Sequence, residues 1–555
     1  MKTKKIIVRN AYGWNFYKKG DIELWFSGYL IEKRTVEQLL IELVGFSEDN
    51  SISIEKLATW VSEIQGHFAF IVDKENGWCF SAADKICSIP LFDSQDEKYY
   101  KVTNYAPNLK NTNSNFDTKS ILELSMSGFV MGEKSIYQNI TRFLPGECKL
   151  WVDGVLYKKY YYSYIPKECN SYDLSELKHR FSEIFLSVLK KTIWNAENRQ
   201  IVVPLSAGND SRLVASGLKK LGYENVVCFS YGREGNFEVE TSQKIAKKLG
   251  YKWIYIKDDL RSKQLFFLSN EYKEYVSAFD SYASIPNTQD IYEVSRLRLC
   301  DSIDSDAIII NGSCGDFISG GHVPSNSDLN NKVLSEKDFD WGLFLDVHYS
   351  LWRKLRNKKN DRIIISRLNE IANKNFDLKN TNISDYALIE ATEYFGRQSR
   401  YVINQQRAYD FFGYDWRIPL WDGEVLDFWK GVPLKYKVNQ KLYKEVLIDN
   451  NWGGVWNDIP VNNKLIRPYF LLVFRLFIKI VVFPFGKNNW HKIEKRVFAY
   501  WLHPSYAQAV TSYKDVLLDM QGHRNASSWL AKQYVKKFGF NSIAEVSKKI
   551  NRTNY

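Results

Sequence analysis

The chain has 555 residues, enough for several domains with large buried cores, and its 45% hydrophobic and 25% charged residues are an ordinary globular mixture. Its net charge of +12 suits anionic partners such as ATP, nucleic acid or an anionic membrane face, but the basic residues are scattered and no RNA or DNA module pattern occurs, so no nucleic-acid partner is expected. Seven cysteines, an odd number without a CxxC pair, argue against a zinc site and fit a reducing cytoplasm; the N-terminal MKTKKIIVRNAYGW lacks the apolar core of a signal peptide.

From Ile22 to Trp151 the pattern is β-rich. Phe68–Val72, Trp78–Ser81 and Tyr99–Thr103 read as strands, and Val36–Val44 and Ile54–Ile64 as helices. The succession FSGYLI (Phe26–Ile31), GHFAFIVD (Gly66–Asp73) and SAADKICSIPLF (Ser81–Phe92), with Asp84, Pro90-Leu91-Phe92 and Leu144-Pro145-Gly146, resembles the glutaminase domain of class II amidotransferases. That resemblance implies an Ntn-hydrolase-like αββα sandwich. A working member uses a Cys immediately after the initiator Met, its α-amine serving as base. Here Lys2 holds that place and no cysteine precedes Cys79, so residues 1–172 are expected to be a degenerate domain that hydrolyses nothing.

The composition shifts to YKKYYYSYIPKECNS at Tyr157–Ser171, a plausible boundary, and Asp173–Trp194 follows an amphipathic helical pattern. Ile201–Val203 is then a β-branched run, followed by Ser206-Ala207-Gly208-Asn209-Asp210-Ser211 and a helical pattern carrying Leu213, Val214, Leu218 and Leu221. Strand, polar turn and helix in this order put Ser206, Gly208, Asp210 and Ser211 at a helix N-terminus, where free N–H groups favour a phosphate and Asp210 can hold Mg²⁺. The same residues also suit an ordinary helix cap, and on the residues alone both remain open. No GxxxxGK[ST] or GxGxxG occurs. SAGNDS resembles the SGGxDS loop of N-type ATP pyrophosphatases, and LSAGNDSR the asparagine synthetase branch. That implies ATP contacts from Leu205, Ser206, Gly208, Asp210 and Ser211.

Val226–Ser230, Glu238–Leu249, Trp253–Ile256 and Ala307–Asn311 continue an alternation of strand and helix, which predicts a doubly wound parallel sheet. Phe229-Ser230-Tyr231-Gly232 is where, by the resemblance, backbone groups meet adenine, giving Ser230 as an ATP contact. NGSCGDFISGGH (Asn311–His322) resembles the family's GxGxDExxGGY segment. Gly312 is thus a further ATP contact, and Asp316 is expected to share Mg²⁺ with Asp210 and take part in catalysis. Ser313, Cys314 and Phe317 depart from the family pattern, which leaves the identity of the attacking amine open.

Ser384–Asn450 reads as mostly helical. Arg417–Asp422 (RIPLWD) resembles the family's RVPFLD block and Gln440–Leu447 (QKLYKEVL) its GKxxLR block, which makes Lys441 the expected catalytic lysine near the α-phosphate, with Lys444 the alternative in a shifted register. Pro468–Pro484 is almost wholly apolar around Arg475 and Lys479. It is short for a span, and two readings remain: a buried helix closing the C-terminal half, or an interfacial helix whose cations meet anionic headgroups. Ser527–Phe538 and Ile543–Ile550 read as further helices.

The resemblance covers residues 20–460 and implies an asparagine synthetase-like ligase in an α/β chain: an Ntn-hydrolase-like sandwich (1–172), an adenine nucleotide α hydrolase-like doubly wound domain (173–460) and a basic helical extension (461–555). ATP and Mg²⁺ are the implied cofactors, and a small-molecule or glycan carboxylate the implied substrate. Nitrogen would come from ammonia, a separate glutaminase or a substrate amine. The chain is expected in the cytoplasm, with peripheral contact at the inner membrane face through 468–484. The competing expectation is a non-catalytic nucleotide-binding regulator or scaffold of a surface-polysaccharide or peptide-modification pathway.

Overall fold

A computed structural model describes residues 3–31, 34–48, 52–169, 171–323, 339–376, 383–461, 469–541 and 545–546. Residue 2, where the loss of the thiol nucleophile was read, and most of the expected 543–550 helix lie outside the described residues.

The N-terminal strands are β1 (Thr3–Ile7), β2 (Trp14–Lys19), β3 (Ile22–Leu30), β4 (Gly66–Lys74), β5 (Cys79–Ala83), β6 (Phe92–Gln95), β7 (Tyr99–Thr103), β8 (Thr141–Arg142), β9 (Glu147–Val152) and β10 (Val155–Tyr160). The helices among them are α1 (Val36–Glu48), α2 (Ile54–Ser62) and α3 (Thr118–Ser127). The strands form a six-stranded sheet, β10-β9-β5-β4-β3-β2, and a four-stranded sheet, β1-β7-β6-β8. The alternation along β4 explains the stacking. Phe68, Phe70 and Val72 face Leu39, Leu43, Leu57 and Val61 of α1 and α2 in one core, while Ala69 and Ile71 join Phe92, Tyr100 and Val102 of the other sheet, with Ile121 and Leu124 of α3, in the second. The layers are therefore helix, sheet, sheet, helix, the predicted sandwich.

Next come α4 (Leu174–Ala196), β11 (Ile201–Pro204), α5 (Asn209–Lys220), β12 (Val226–Gly232), α6 (Phe237–Leu249), β13 (Lys252–Lys257), β14 (Ile308–Ile310) and β15 (Asp415–Arg417). All strands of this sheet pair in parallel in the order β13-β12-β11-β14-β15. Ile201, Val202 and Val203 of the central strand are fully buried, as a strand covered on both faces requires. The strand order reverses between β11 and β14, so the crevice for a ligand opens beyond their carboxyl ends. β15 falls where the sequence reads as helical, because a three-residue strand between short helices is too brief to carry a period of two.

Buried hydrogen bonds join the two halves. Arg142 donates to Ser399 O at 3.0 Å, Arg400 to Phe143 O at 2.9 Å and Arg407 to Ser88 O at 3.1 Å. In the C-terminal extension a helix over Tyr469–Val482 folds back on another over Lys487–Val497. This corrects the expectation of a buried helix. Val473, Phe477, Ile480 and Phe485 are 66, 66, 73 and 75% exposed, because the partner helix covers one side of an element that is apolar all round. Arg475 is also not free for headgroups: it bonds Glu494 and lies 5.3 Å from the Trp490 ring centre. Among the described residues no helix is long and apolar enough to cross a membrane.

Candidate functional site

The loop after β11 is held in shape by its own hydroxyls. Ser206 N–H donates to Ser211 Oγ at 2.9 Å, and Gly208 N–H to Ser206 Oγ at 3.1 Å. Gly208 is the residue that starts α5 and no side chain caps that helix, so the ordinary capped-helix alternative is not what the chain builds. The first-turn N–H groups and the positive end of the helix are left for an anion. Fully buried Arg212 ties the loop down, donating to Ala207 O at 2.9 Å, Val455 O at 3.1 Å and Ile459 O at 2.8 Å.

The segment after β14 meets this loop backbone to backbone. A Cβ at Gly312 would stand 2.5 Å from Asp210 C, and one at Gly315 would stand 2.3 Å from Asp210 Cγ. The close approach lets Asp316 N–H donate to Asp210 Oδ2 at 3.0 Å, while Tyr443 OH donates to Oδ1 at 2.9 Å. Burial, then the facing Asp316 carboxylate, push Asp210 up to about 7. Among the described residues no lysine or arginine forms an ion pair with Asp210 or Asp316. Two hard carboxylates crowded together in this way fit a divalent cation such as Mg²⁺, with phosphate and water oxygens completing its shell. Between the two glycines Cys314 takes φ +90°, a left-handed conformation that suits the glycine of the family pattern.

These elements enclose a cavity of about 350 Å³. Leu205, Ser206, Asp210, Ser211, Ser230, Gly312 and Asp316 line it, so seven of the nine residues expected from the sequence converge. Gly208 acts from behind, as the start of α5. Lys441 does not line the cavity: it is exposed at the start of the helix Lys441–Asn450, its Nζ 5.9 Å from the Tyr436 ring centre. Its neighbours do reach the site, Gln440 donating to Ser319 Oγ at 2.7 Å and Tyr443 holding Asp210.

Three groups here escaped the sequence. Buried Asp290 accepts from Tyr231 OH at 3.1 Å, Gln405 Nε2 at 2.7 Å and Tyr409 OH at 2.6 Å, and Gln405 in turn accepts from Ser313 Oγ at 2.7 Å. Asp290 is thus linked through Gln405 to Ser313, one of the positions that depart from the family pattern. On the opposite wall His322 Nδ1 lies 2.7 Å from Oε1 of buried Glu393, and Arg397 lies 3.6 Å from the same oxygen. Only His322, in the place of the family's aromatic after Gly-Gly, left a local signal. The partners of Asp290 lie 59 to 119 residues from it along the chain and His322 lies 71 from Glu393, so only the fold joins them.

A doubly wound α/β domain with a polar strand-to-helix loop at its switch point, joined to an αββα sandwich, is the class that fold and site define. The family profile described as asparagine synthase matches residues 196–448 of the chain. It is similar to a probable asparagine synthetase [glutamine-hydrolyzing] of Acanthamoeba polyphaga mimivirus, 30% identical over 198 residues, 35% of this chain and 34% of that protein. The match thus spans about a third of the relative's length. A solved structure described as the allosteric regulatory enzyme of purine biosynthesis aligns with 54% of this chain and 62% of its own, at 12% identity and a TM-score of 0.19.

Proposed function

We propose that the chain is an ATP-dependent ligase that activates a carboxylate as an acyl adenylate, with release of pyrophosphate, and then forms an amide with ammonia or an amine. The observation that carries this is the meeting of an uncapped helix N-terminus with the Asp210–Asp316 pair in one cavity. The α5 N–H groups and the Ser206 and Ser211 hydroxyls bind the departing phosphates, and Ser230 and Gly312 border the rest of the nucleotide. Mg²⁺ on Asp210 and Asp316 neutralises pyrophosphate when bound. The assignment of Lys441 to the α-phosphate rests on the sequence resemblance and requires its exposed side chain to swing in from outside the cavity.

Glutamine hydrolysis has no part in this proposal. Cys79, Cys87 and Cys148 in the sandwich are at most 1% exposed, and burial pushes the Cys79 and Cys148 thiols up to about 12, where they are poor nucleophiles. Nitrogen then comes from ammonia, another protein or the substrate itself.

The test is Mg²⁺-dependent exchange of labelled pyrophosphate into ATP, scanned over pooled carboxylates beside Asp210→Ala. Exchange that appears with one pool and vanishes in the variant supports the ligase. ATP binding without exchange in any pool rejects it.

The hairpin 469–497 belongs to the same proposal as a peripheral membrane contact. It exposes a stripe of Val473, Phe477 and Ile480 and carries six Lys and Arg against the single acid Glu494, a combination suited to an anionic bilayer surface. Flotation with phosphatidylserine vesicles that is lost in Phe477→Asp/Ile480→Asp supports the contact; equal flotation of parent and variant rejects it.

A further inference from the structure

A second cavity, of about 610 Å³, adjoins the first, and His322 and Arg397 line both. Its walls come from three remote stretches of the chain: Phe129 just beyond α3, the helix Gly342–His348, and Arg524 to Ser527 of the extension. Arg524 closes one end, donating to Ser350 Oγ at 2.9 Å and to Val347 O.

The apolar part of the wall is formed by Phe129, Ile285, Leu343, Phe344, Val347 and Ile389. Leu343 and Val347 remain 48 and 50% exposed, so this surface is wet unless an apolar ligand covers it. The volume is that of a small-molecule site.

Polar groups line this second cavity at the extension, with Arg524, Asn525 and Ser527, and at the edge shared with the nucleotide cavity, with His322 and Arg397. Glu393 is almost fully buried; burial alone would raise it, but His348, His322 and Arg397 hold it down to about 2. As a carboxylate it orients His322 through Nδ1, and it accepts from Gln398 Nε2 at 2.7 Å. Arg397, with its side chain 37% exposed, is held only loosely. Arg397, the partly exposed and most weakly held partner of that carboxylate, is the cation open to an incoming carboxylate.

We propose that this chamber binds the acid that the ligase activates, and that this acid carries a bulky aromatic or branched acyl body. The body lies against Phe129, Phe344 and Val347, and its carboxylate meets Arg397 at the edge of the nucleotide cavity. Aspartate is too short to cover those walls and would leave Phe129, Phe344 and Val347 wet. The proposal rests on the ligase function above for its chemistry, but the chamber can be tested separately.

The test uses calorimetric binding of 4-phenylbutyrate, N-acetylphenylalanine and aspartate to the full chain loaded with α,β-methylene-ATP, beside pyrophosphate exchange with the same acids. The aromatic acids are expected to bind at least roughly tenfold more tightly than aspartate, and Val347→Trp, which fills the chamber, to weaken them by a similar factor with the nucleotide analogue bound as before. Arg397→Gln should weaken them too. Leu343→Trp serves if Val347→Trp does not fold. Aspartate binding as tightly, aromatic binding untouched by the filled chamber, or no binding of any of the acids overturns the proposal. Exchange driven by aspartate alone leaves the ligase standing and removes the aromatic acceptor. Aromatic binding that Val347→Trp abolishes, without exchange from any acid, keeps the chamber and removes the ligase.

Discussion

Two buried charge clusters in this molecule are built in opposite ways. Between the sheets of the sandwich Lys149 lies 2.9 Å from Asp93 and 3.8 Å from Glu147, and all three side chains are at most 4% exposed. The chain itself supplies both signs, and the cluster is closed. At the nucleotide cavity Asp210 faces Asp316 and is pushed up to about 7. There two like charges meet, and among the described residues no Lys or Arg pairs with either. The first cluster serves the architecture of the domain, whereas the second fits the ligand site proposed above.

Substitutions that move only one of these two properties test the contrast. Asp210→Asn is expected to reduce pyrophosphate exchange about a thousandfold, while thermal unfolding shifts little or upward because a crowded carboxylate is gone. A large fall in Tm would place Asp210 in the architectural class instead. Lys149→Met, which strands Asp93 and Glu147, should destabilise the chain by about 3–5 kcal/mol in denaturant titration, with exchange per folded molecule unchanged.

Smaller effects sharpen the comparison. Cys314→Gly, which removes a left-handed non-glycine residue, should stabilise by about 1 kcal/mol and move the denaturation midpoint upward. At the sandwich surface, burial works against ionising Glu133, yet Lys374 at 2.7 Å and Lys158 at 3.3 Å hold its carboxyl down to about 2 from an ordinary 4.5. A depressed carboxylate stabilises fully above its unfolded value and loses that contribution as the pH falls through the folded one. The stability difference between parent and Glu133→Gln, under about 1 kcal/mol for so exposed a pair, should therefore shrink between pH 4.5 and 2.

The sequence revealed the site best where local pattern and chemistry coincide. Ile201–Val203, the polar turn and the α5 pattern gave the loop and its helix, and Ala307–Ile310 placed Asp316 after a strand. Short runs of apolar and aromatic residues gave β4 and β7. What stayed hidden depends on contacts between distant residues. Tyr443 reads as one more helix aromatic until it meets Asp210, Glu393 as one more helix acid until it meets His322, and Asp290 is joined to Ser313 through Gln405 only by tertiary packing. The 469–482 helix shows the reverse case. Its composition was plain, but which of its sides would be covered depended on a partner helix carrying Trp490 and Glu494.

The contact of Gly312 and Gly315 with the Asp210 backbone and carboxylate works as a mortise joint, and it bears on how this chain could be redesigned. A side chain at Gly312 would push on the backbone of Asp210 and Ser211 and one at Gly315 on the Asp210 carboxylate, so neither position can be varied alone. Leu343 and Val347, half exposed on a separate helix, touch no part of that joint and offer positions where acceptor preference can be rewritten while the nucleotide machinery keeps its fit.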